Sequence, residues 1–277
     1  MPTRLIAIPF AVGFFLFFYL AWAKDEAYAI YVVPCSLILG LMYVFSPQID
    51  WWWYKRYPPD LTDGIRRFFS ERYTYYTRLP LRKKDVFRQK VAMFSMATDF
   101  KPMVMPEVPE DVKAIVSASA VQLSAAFEDF LYPPFETVVI YPHPFPSPQY
   151  PEHFHISEMF EEDGVILFSL DHLIKSFAEP DQYYNIGLHE FAKVFVLTYP
   201  EKDYPELTDE IWGPLEEVSH FSYEALLKWI NLPTIDPLPV SIAHFFVFPD
   251  RFQEVLPELY QKYSMIFQQD PAKEHKR

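Results

Sequence analysis

Two long apolar runs open the chain. Leu5 to Ala23 is almost wholly hydrophobic over 19 residues, and after Lys24-Asp-Glu26 a second run of 19 residues reaches from Ala27 to Phe45. Neither carries the polar stripe of a surface helix, and each is just long enough to cross a bilayer. The link between them allows only a tight helical hairpin. Trp51-Trp-Trp-Tyr54 then supplies an aromatic belt, followed by Lys55-Arg56. The first run has a rival reading as a signal peptide, because Ala21-Trp-Ala23 resembles a cleavage site. Two buried core helices are a further alternative.

Beyond the hairpin the pattern changes. Thr74 to Pro80 is a polar, aromatic lead-in, and Val86, Phe87, Val91 and Phe94 give helical spacing to Asp85–Ser95. Pro102, Pro106 and Pro109 break the next stretch. A long helix is predicted from Glu110 to Phe130, with Val112, Ile115, Val116, Ala120, Leu123 and Phe127 inward and Pro133-Pro134 ending it. Glu136–Tyr141 reads as a strand by its β-branched content. A proline-rich loop follows, and His153-Phe-His155 is expected to begin a second strand with both histidines on one face. Asp163-Gly164 is a turn, Val165–Leu170 a buried strand and Asp171–Phe177 a short helix. Helices are expected again at Leu215–Ile230, Val240–Phe248 and Phe252–Gln268.

Between these lies Tyr183–Val194, apolar nearly all round and therefore a buried helix, with Asp181 as its expected cap and Tyr199-Pro200 as its stop. Helices, a small sheet and helices again make an α+β fold. The expected division is a transmembrane hairpin at 1–50, a basic aromatic juxtamembrane segment at 51–74, a folded domain at 75–270 and a loose tail at 271–277.

Charge gives the hairpin a direction. The chain of 277 residues carries −13 overall, yet residues 51–92 hold eleven Lys/Arg against four Asp/Glu, leaving −19 on residues 93–277. By the positive-inside rule the N-terminus and the long C-terminal part both face the cytoplasm, in a bacterial-type inner membrane. Residues 5–45 are the expected membrane contact, and the basic residues between 55 and 90 are expected against anionic headgroups. So acidic a domain does not suit nucleic acid. With 27 Pro and 6 Gly, loops should be stiff, and the lone Cys35 allows no intrachain disulfide.

The candidate chemistry sits in the buried helix. His189, Glu190 and Lys193 occupy positions i, i+1 and i+4. A buried helix rarely carries three polar groups unless they meet one another or a ligand. The pattern is one residue short of H-E-x-x-H, in which two histidines bind zinc and the glutamate activates a metal-bound water. Lys193 stands in the second histidine's place and offers no lone pair while charged. Its ammonium is expected to pair with Glu190, and with Asp236 as a further partner, leaving His189 neutral. His153, His155 and His220 are candidate substitute ligands. Asp236 has two readings, a weak ligand or a helix cap preceding Pro237.

From about Tyr75 onward the chain resembles the MtfA-like zinc metallopeptidases, also called Mlc titration factor A or glucose-regulated metallopeptidases. The carrying residues are Phe87-Arg-Gln-Lys-Val91 with Asp99-Phe-Lys101, like the family's opening helix, and Val138-Val-Ile-Tyr-Pro142, like its first strand. Gly164–Leu170 resembles the strand before the motif helix, and Tyr184–Ala192 the motif helix itself. His244-Phe-Phe246, Pro249-Asp-Arg-Phe252, Pro257-Glu-Leu-Tyr260 and Gln269-Asp-Pro271 resemble a C-terminal signature. The resemblance implies a zincin-like fold, a cytoplasmic aminopeptidase-type activity, His189 as zinc ligand and Glu190 as general base. The family's second ligand falls on Lys193 and its third on Asp236, so two of three depart from the pattern. The resulting expectation is a membrane-anchored, inactive homologue that holds no cofactor and binds a protein or peptide in its cleft, with His189 and Glu190 vestigial. Its rivals are an active zinc peptidase with a substitute ligand and a membrane-associated scaffold with a closed cleft.

Overall fold

The structure is a computed structural model describing residues 2–273. The chain divides into two compact units, residues 1–59 and 60–277.

The smaller unit is helical. α1 (Pro2–Ala23) and α2 (Ala29–Val44) form a hairpin closed by a 3₁₀ turn at Glu26–Tyr28, where Asp25 caps the N–H of Ala27. Both are long and apolar enough to cross a membrane, with mean hydropathy 2.2 and 1.9. Their apolar side chains face outward, Phe15 and Ile30 being 69% and 70% exposed. α3 (Ser46–Arg56) carries the three tryptophans. Asp50 on α3 accepts from the backbone N–H and the hydroxyl of Thr3, tying the start of α1 to α3.

The larger unit begins at Asp60, not at 75. α4 (Asp63–Arg72) and α5 (Thr74–Arg78) belong to it, because Phe69, Tyr75 and Tyr76 are buried. Asp60 also pairs with Arg88 on α6 (Leu81–Ala97). The segment expected to be juxtamembrane is thus partly core, with aromatic rings every few residues supplying the burial. Asp99-Phe-Lys101, which resembles part of a helix, is instead strand β1 (Asp99–Pro102).

α7 (Glu110–Ser124) stops six residues before the expected end at Phe130. The cause lies outside the helix: the Lys90 ammonium binds the carbonyls of Ala125 and Phe127, and the Ser124 hydroxyl donates to the Phe130 carbonyl. Strands β2 (Thr137–Tyr141), β3 (Ser157–Phe160) and β4 (Val165–Ser169) complete a sheet of order β1-β2-β4-β3. β1, β2 and β4 are parallel, and β3 runs antiparallel at one edge. Gly164 takes φ +60 in the β3–β4 turn, where a Cβ would fall 2.5 Å from the Pro134 carbonyl oxygen.

α8 (Leu170–Ala178) leads to α9 (Ile186–Thr198), the buried motif helix. The single helix expected over 215–230 is two, α10 (Trp212–Ser219) and α11 (Tyr223–Ile230). His220 turns left-handed between them and Ser222 caps the second. α12 (Pro237–Val247), α13 (Pro249–Val255) and α14 (Pro257–Phe267) finish the unit; the helix expected over 252–268 breaks because Pro257 starts a new one. The tail is not loose where it is described: Ala272 is buried and its N–H donates to the Tyr260 hydroxyl. Residues 274–277 lie outside the described residues. The core gathers around α7, α9 and α12, whose inward faces are mainly apolar but also bury Ser119 and Gln122 on α7, His189 and Glu190 on α9 and His244 on α12.

Candidate functional site

α9 begins one turn later than expected, and its cap is Asn185 rather than Asp181. The Asn185 Oδ1 accepts from the Leu188 N–H. Tyr183 and Tyr184 therefore precede the helix. Ile186, Leu188, Phe191, Ala192, Val194 and Phe195 are all buried, so the helix is enclosed on every side that apolar residues cover. Its close approach to α7 occurs at Gly187, where a Cβ would lie 2.5 Å from the Ser119 hydroxyl.

Within this apolar setting the polar groups are satisfied by one another. Lys193 Nζ donates to Glu190 Oε2 at 2.9 Å, one turn apart on α9. Ser157 on β3 donates to Glu190 Oε1 at 2.7 Å. Glu190 is fully buried, whereas the Lys193 side chain keeps 25% of its exposure. Burial raises the Glu190 carboxyl, but the Lys193 ammonium, the His189 ring and the two hydrogen bonds outweigh it and hold it below the usual carboxylate range. The pair is ionised.

His189 is 2% exposed, and its Nδ1 lies 2.7 Å from the Tyr184 hydroxyl. Burial, reinforced by the Lys193 charge, pushes its pKa down to about 3, so the ring is neutral. Tyr184 is pushed well up, by burial first and Glu190 second, and stays a phenol. Its backbone carbonyl accepts from Trp229 Nε1, and its ring stands perpendicular to that of His244 at 5.8 Å. His244 is buried with neither ring nitrogen hydrogen-bonded, and burial pushes it down to about 3 as well.

The remaining candidates lie apart from this cluster. Asp236 is exposed and caps α12, its Oδ1 accepting from the Leu238 N–H with Pro237 in the first helical position. It takes the cap reading and is not seen to pair with Lys193. The two histidines expected to open a strand do not share a face. His155 is fully buried in a single bridge to Phe145, while His153 is half-buried and lends its carbonyl to the His155 ring. His155 Nε2 is engaged by Glu158 Oε2 at 2.9 Å. His220 is the exposed left-handed residue after α10.

Two participants were not anticipated in their roles. Ser157 contacts Glu190 from a strand 33 positions away, which no local spacing announces. Tyr184 lies before α9 rather than inside it, and its hydroxyl reaches forward to His189.

Zincins use a metal held by three protein ligands. The donors here do not fit one. The second ligand position carries an ammonium already bonded to Glu190, Asp236 is spent on a cap, and His155 is spent on Glu158. Among the described residues no group of three or more His, Cys, Asp or Glu is arranged to hold an ion. What the arrangement supplies instead is a buried carboxylate with both oxygens occupied.

No curated protein matches the chain. A family profile does, over residues 50–197, and its description is glucose-regulated metallo-peptidase M90. The match takes in the sheet, α8 and α9 as far as Leu197, Lys193 included. With more than half of its length covered, the chain belongs to the glucose-regulated metallopeptidase family, whose fold is zincin-like.

Proposed function

We propose that this chain is a membrane-anchored member of its family that does not hydrolyse peptides and instead binds a protein or peptide partner beside the old active site. The observation that carries the reading is the 2.9 Å contact from Lys193 Nζ to Glu190 Oε2. A general base must come within hydrogen-bond reach of the water it activates, and Glu190 is completely buried with a donor already on each oxygen. Here one oxygen serves the ammonium and the other serves Ser157. Lys193 replaces the positive charge of a metal while supplying no Lewis acid, and loss of Lewis-acid polarisation removes several kcal/mol of transition-state stabilisation. No metal or other cofactor is part of this reading.

β3 is the edge strand of the sheet and packs on α9, so an extended peptide pairing with its free side would lie along the site. The complete burial of Glu190 favours a second reading, a membrane-associated scaffold whose cleft is closed. The two part on whether a partner protects the β3 amides from hydrogen exchange. In both, α1 and α2 span the membrane, the basic residues between 55 and 90 meet anionic headgroups, and the larger unit lies in the cytoplasm.

The test is metal content. The full chain, purified in detergent without chelator or nickel resin, is assayed for zinc beside Lys193→His. The wild type is expected to hold almost none, and the variant to gain some. Stoichiometric zinc in the wild type that disappears in His189→Ala would overturn the proposal and restore an active peptidase with a substitute ligand.

A further inference from the structure

A crevice of about 320 Å³ lies where α1, α2 and α3 meet. Ala7, Leu39 and Met42 line it on one side, and Thr3, Arg4, Ser46 and Asp50 on the other. Leu39 and Ala7 sit inside the two apolar helices, whereas Ser46 and Asp50 lie past the end of α2, so the lining passes from apolar to charged. The polar wall is fixed. Thr3 is buried, and its N–H and hydroxyl both donate to Asp50 Oδ1, at 2.8 and 2.7 Å. Asp50 Oδ2 receives no hydrogen bond from the described residues. The Arg4 side chain has neither a hydrogen bond nor an ion pair among them, although Asp50 lines the same crevice.

Each feature narrows the occupant. A cation and a carboxylate at the end of apolar helices are costly unless each meets a partner, and here they do not meet each other. Arg4 offers the planar fork of donors that suits a phosphate. The open oxygen of Asp50 calls for an N–H donor, and a primary ammonium brings three. The apolar side of the crevice calls for hydrocarbon. A phospholipid with a primary amine carries all three parts in one molecule. The volume, at the lower end of small-molecule sites, suits the headgroup and the start of one acyl chain. The source of the ligand rests on the reading that α1 and α2 span a membrane. That reading puts the end of the hairpin, and so the crevice, at the depth of the headgroups.

We infer that this crevice is a site for an aminophospholipid, with its phosphate on Arg4, its ammonium on Asp50 and the start of one acyl chain along Ala7, Leu39 and Met42. This differs from the attraction of basic residues to an anionic surface. The ligand has no net charge, it occupies one place, and it is chosen by its N–H groups.

The test is native mass spectrometry of the full chain in neutral detergent, with phosphatidylethanolamine, phosphatidylcholine or phosphatidylglycerol added at equal concentration. Phosphatidylcholine keeps both charges, but its quaternary ammonium has no N–H. Phosphatidylglycerol has no ammonium. Phosphatidylethanolamine is expected to bind at least about tenfold better than either, the equivalent of one hydrogen bond to a charged group. Asp50→Asn keeps an Oδ1 for Thr3 while removing the charge, and should abolish that preference. Arg4→Gln should weaken phosphatidylethanolamine binding, and so should Leu39→Trp, which fills the apolar side and leaves the charges alone. Lys24→Gln/Asp25→Asn removes one charge of each sign at the other end of the hairpin and should leave binding intact. Equal binding of the three lipids, a preference that survives Asp50→Asn, an equal loss in the Lys24/Asp25 variant, or no effect of Leu39→Trp would overturn the inference. Carbonate extraction of membranes tests the spanning helices separately. A chain released by carbonate sinks that reading, while lipid binding in detergent still decides the crevice.

Discussion

Ser157 Oγ donates to Glu190 Oε1 at 2.7 Å across the contact between β3 and α9. With Lys193 on the other oxygen, the carboxylate is held from two elements at once. Removing one partner of a buried ion pair strands the other, at a cost of about 3–5 kcal/mol, and the cost depends on which partner stays behind. Glu190 has no access to water, whereas Lys193 retains 25% exposure. Lys193→Met should therefore cost about 3 kcal/mol. Glu190→Gln should cost only about 1 kcal/mol, because the ammonium can swing to solvent and Ser157 still has an oxygen to meet. The double variant Glu190→Gln/Lys193→Met should recover most of the loss. Thermal melting of the full chain in detergent checks this, and equal losses for the two single variants would sink the asymmetry.

The part of this network that was legible in the sequence is the part that is local. Glu190 and Lys193 meet because positions one turn apart on a helix are neighbours, and the surrounding apolar residues announce that the helix is buried. The two long apolar helices at the N-terminus, the strands 137–141 and 165–169 and the cap at Asp236 were legible for the same kind of reason: a period, a run or a turn residue. What escaped depends on contacts between distant positions. Lys90 ends α7 early by binding carbonyls 35 and 37 positions away. Ser157 reaches Glu190 only because the sheet puts β3 at its edge. Asn185 takes the cap expected of Asp181: the two stand four residues apart, and aspartate and asparagine cap about equally well, so residue type does not separate them.

Acid should destabilise the larger unit from an unusually high pH. Unfolded histidines take a proton near pH 6.5, whereas burial pushes His189 and His244 down to about 3 in the fold. Between those values the unfolded chain binds more protons. Stability is therefore full above about pH 6.5 and falls toward pH 3, by about 1.4 kcal/mol per pH unit for each histidine. Glu190 is depressed too, so its contribution is present above about pH 4 and lost below it. His244→Leu isolates one histidine without losing a hydrogen bond, since neither ring nitrogen makes one. Melting between pH 7 and 4 should show a shallower loss for the variant, by about one proton. Parallel profiles would mean that His244 reaches water or a partner in the folded chain.

Asp236 separates a structural role from a metal role. Its Oδ1 accepts from the Leu238 N–H at 2.9 Å, and Pro237 holds the first turn of α12. Asp236→Ala should cost about 1 kcal/mol, and Asp236→Asn almost nothing, because asparagine caps as well as aspartate. Neither should change the metal content of the purified chain. A loss of bound zinc in Asp236→Ala would show that the residue serves as a ligand after all.

The crossing of α7 and α9 depends on Gly187. A Cβ there would lie 2.5 Å from Ser119 Oγ and 3.0 Å from Ser119 Cβ, and the Ser119 hydroxyl is already bonded to the Ile115 carbonyl. Elsewhere in a helix, replacing glycine by alanine gains about 0.5–1 kcal/mol. Here the gain is opposed by overpacking, which costs about 1–3 kcal/mol. Gly187→Ala should therefore melt below the wild type, and adding Ser119→Gly, which removes the opposing Cβ, should recover part of the loss despite glycine's poor helix propensity. A Gly187→Ala chain more stable than the wild type would mean that the helices can part at no cost. The contact matters to the site because Gly187 lies two residues before His189. Forcing α9 away from α7 would move His189 against Tyr184, and the lengthening of that 2.7 Å hydrogen bond would appear in the histidine ring shifts before any loss of fold.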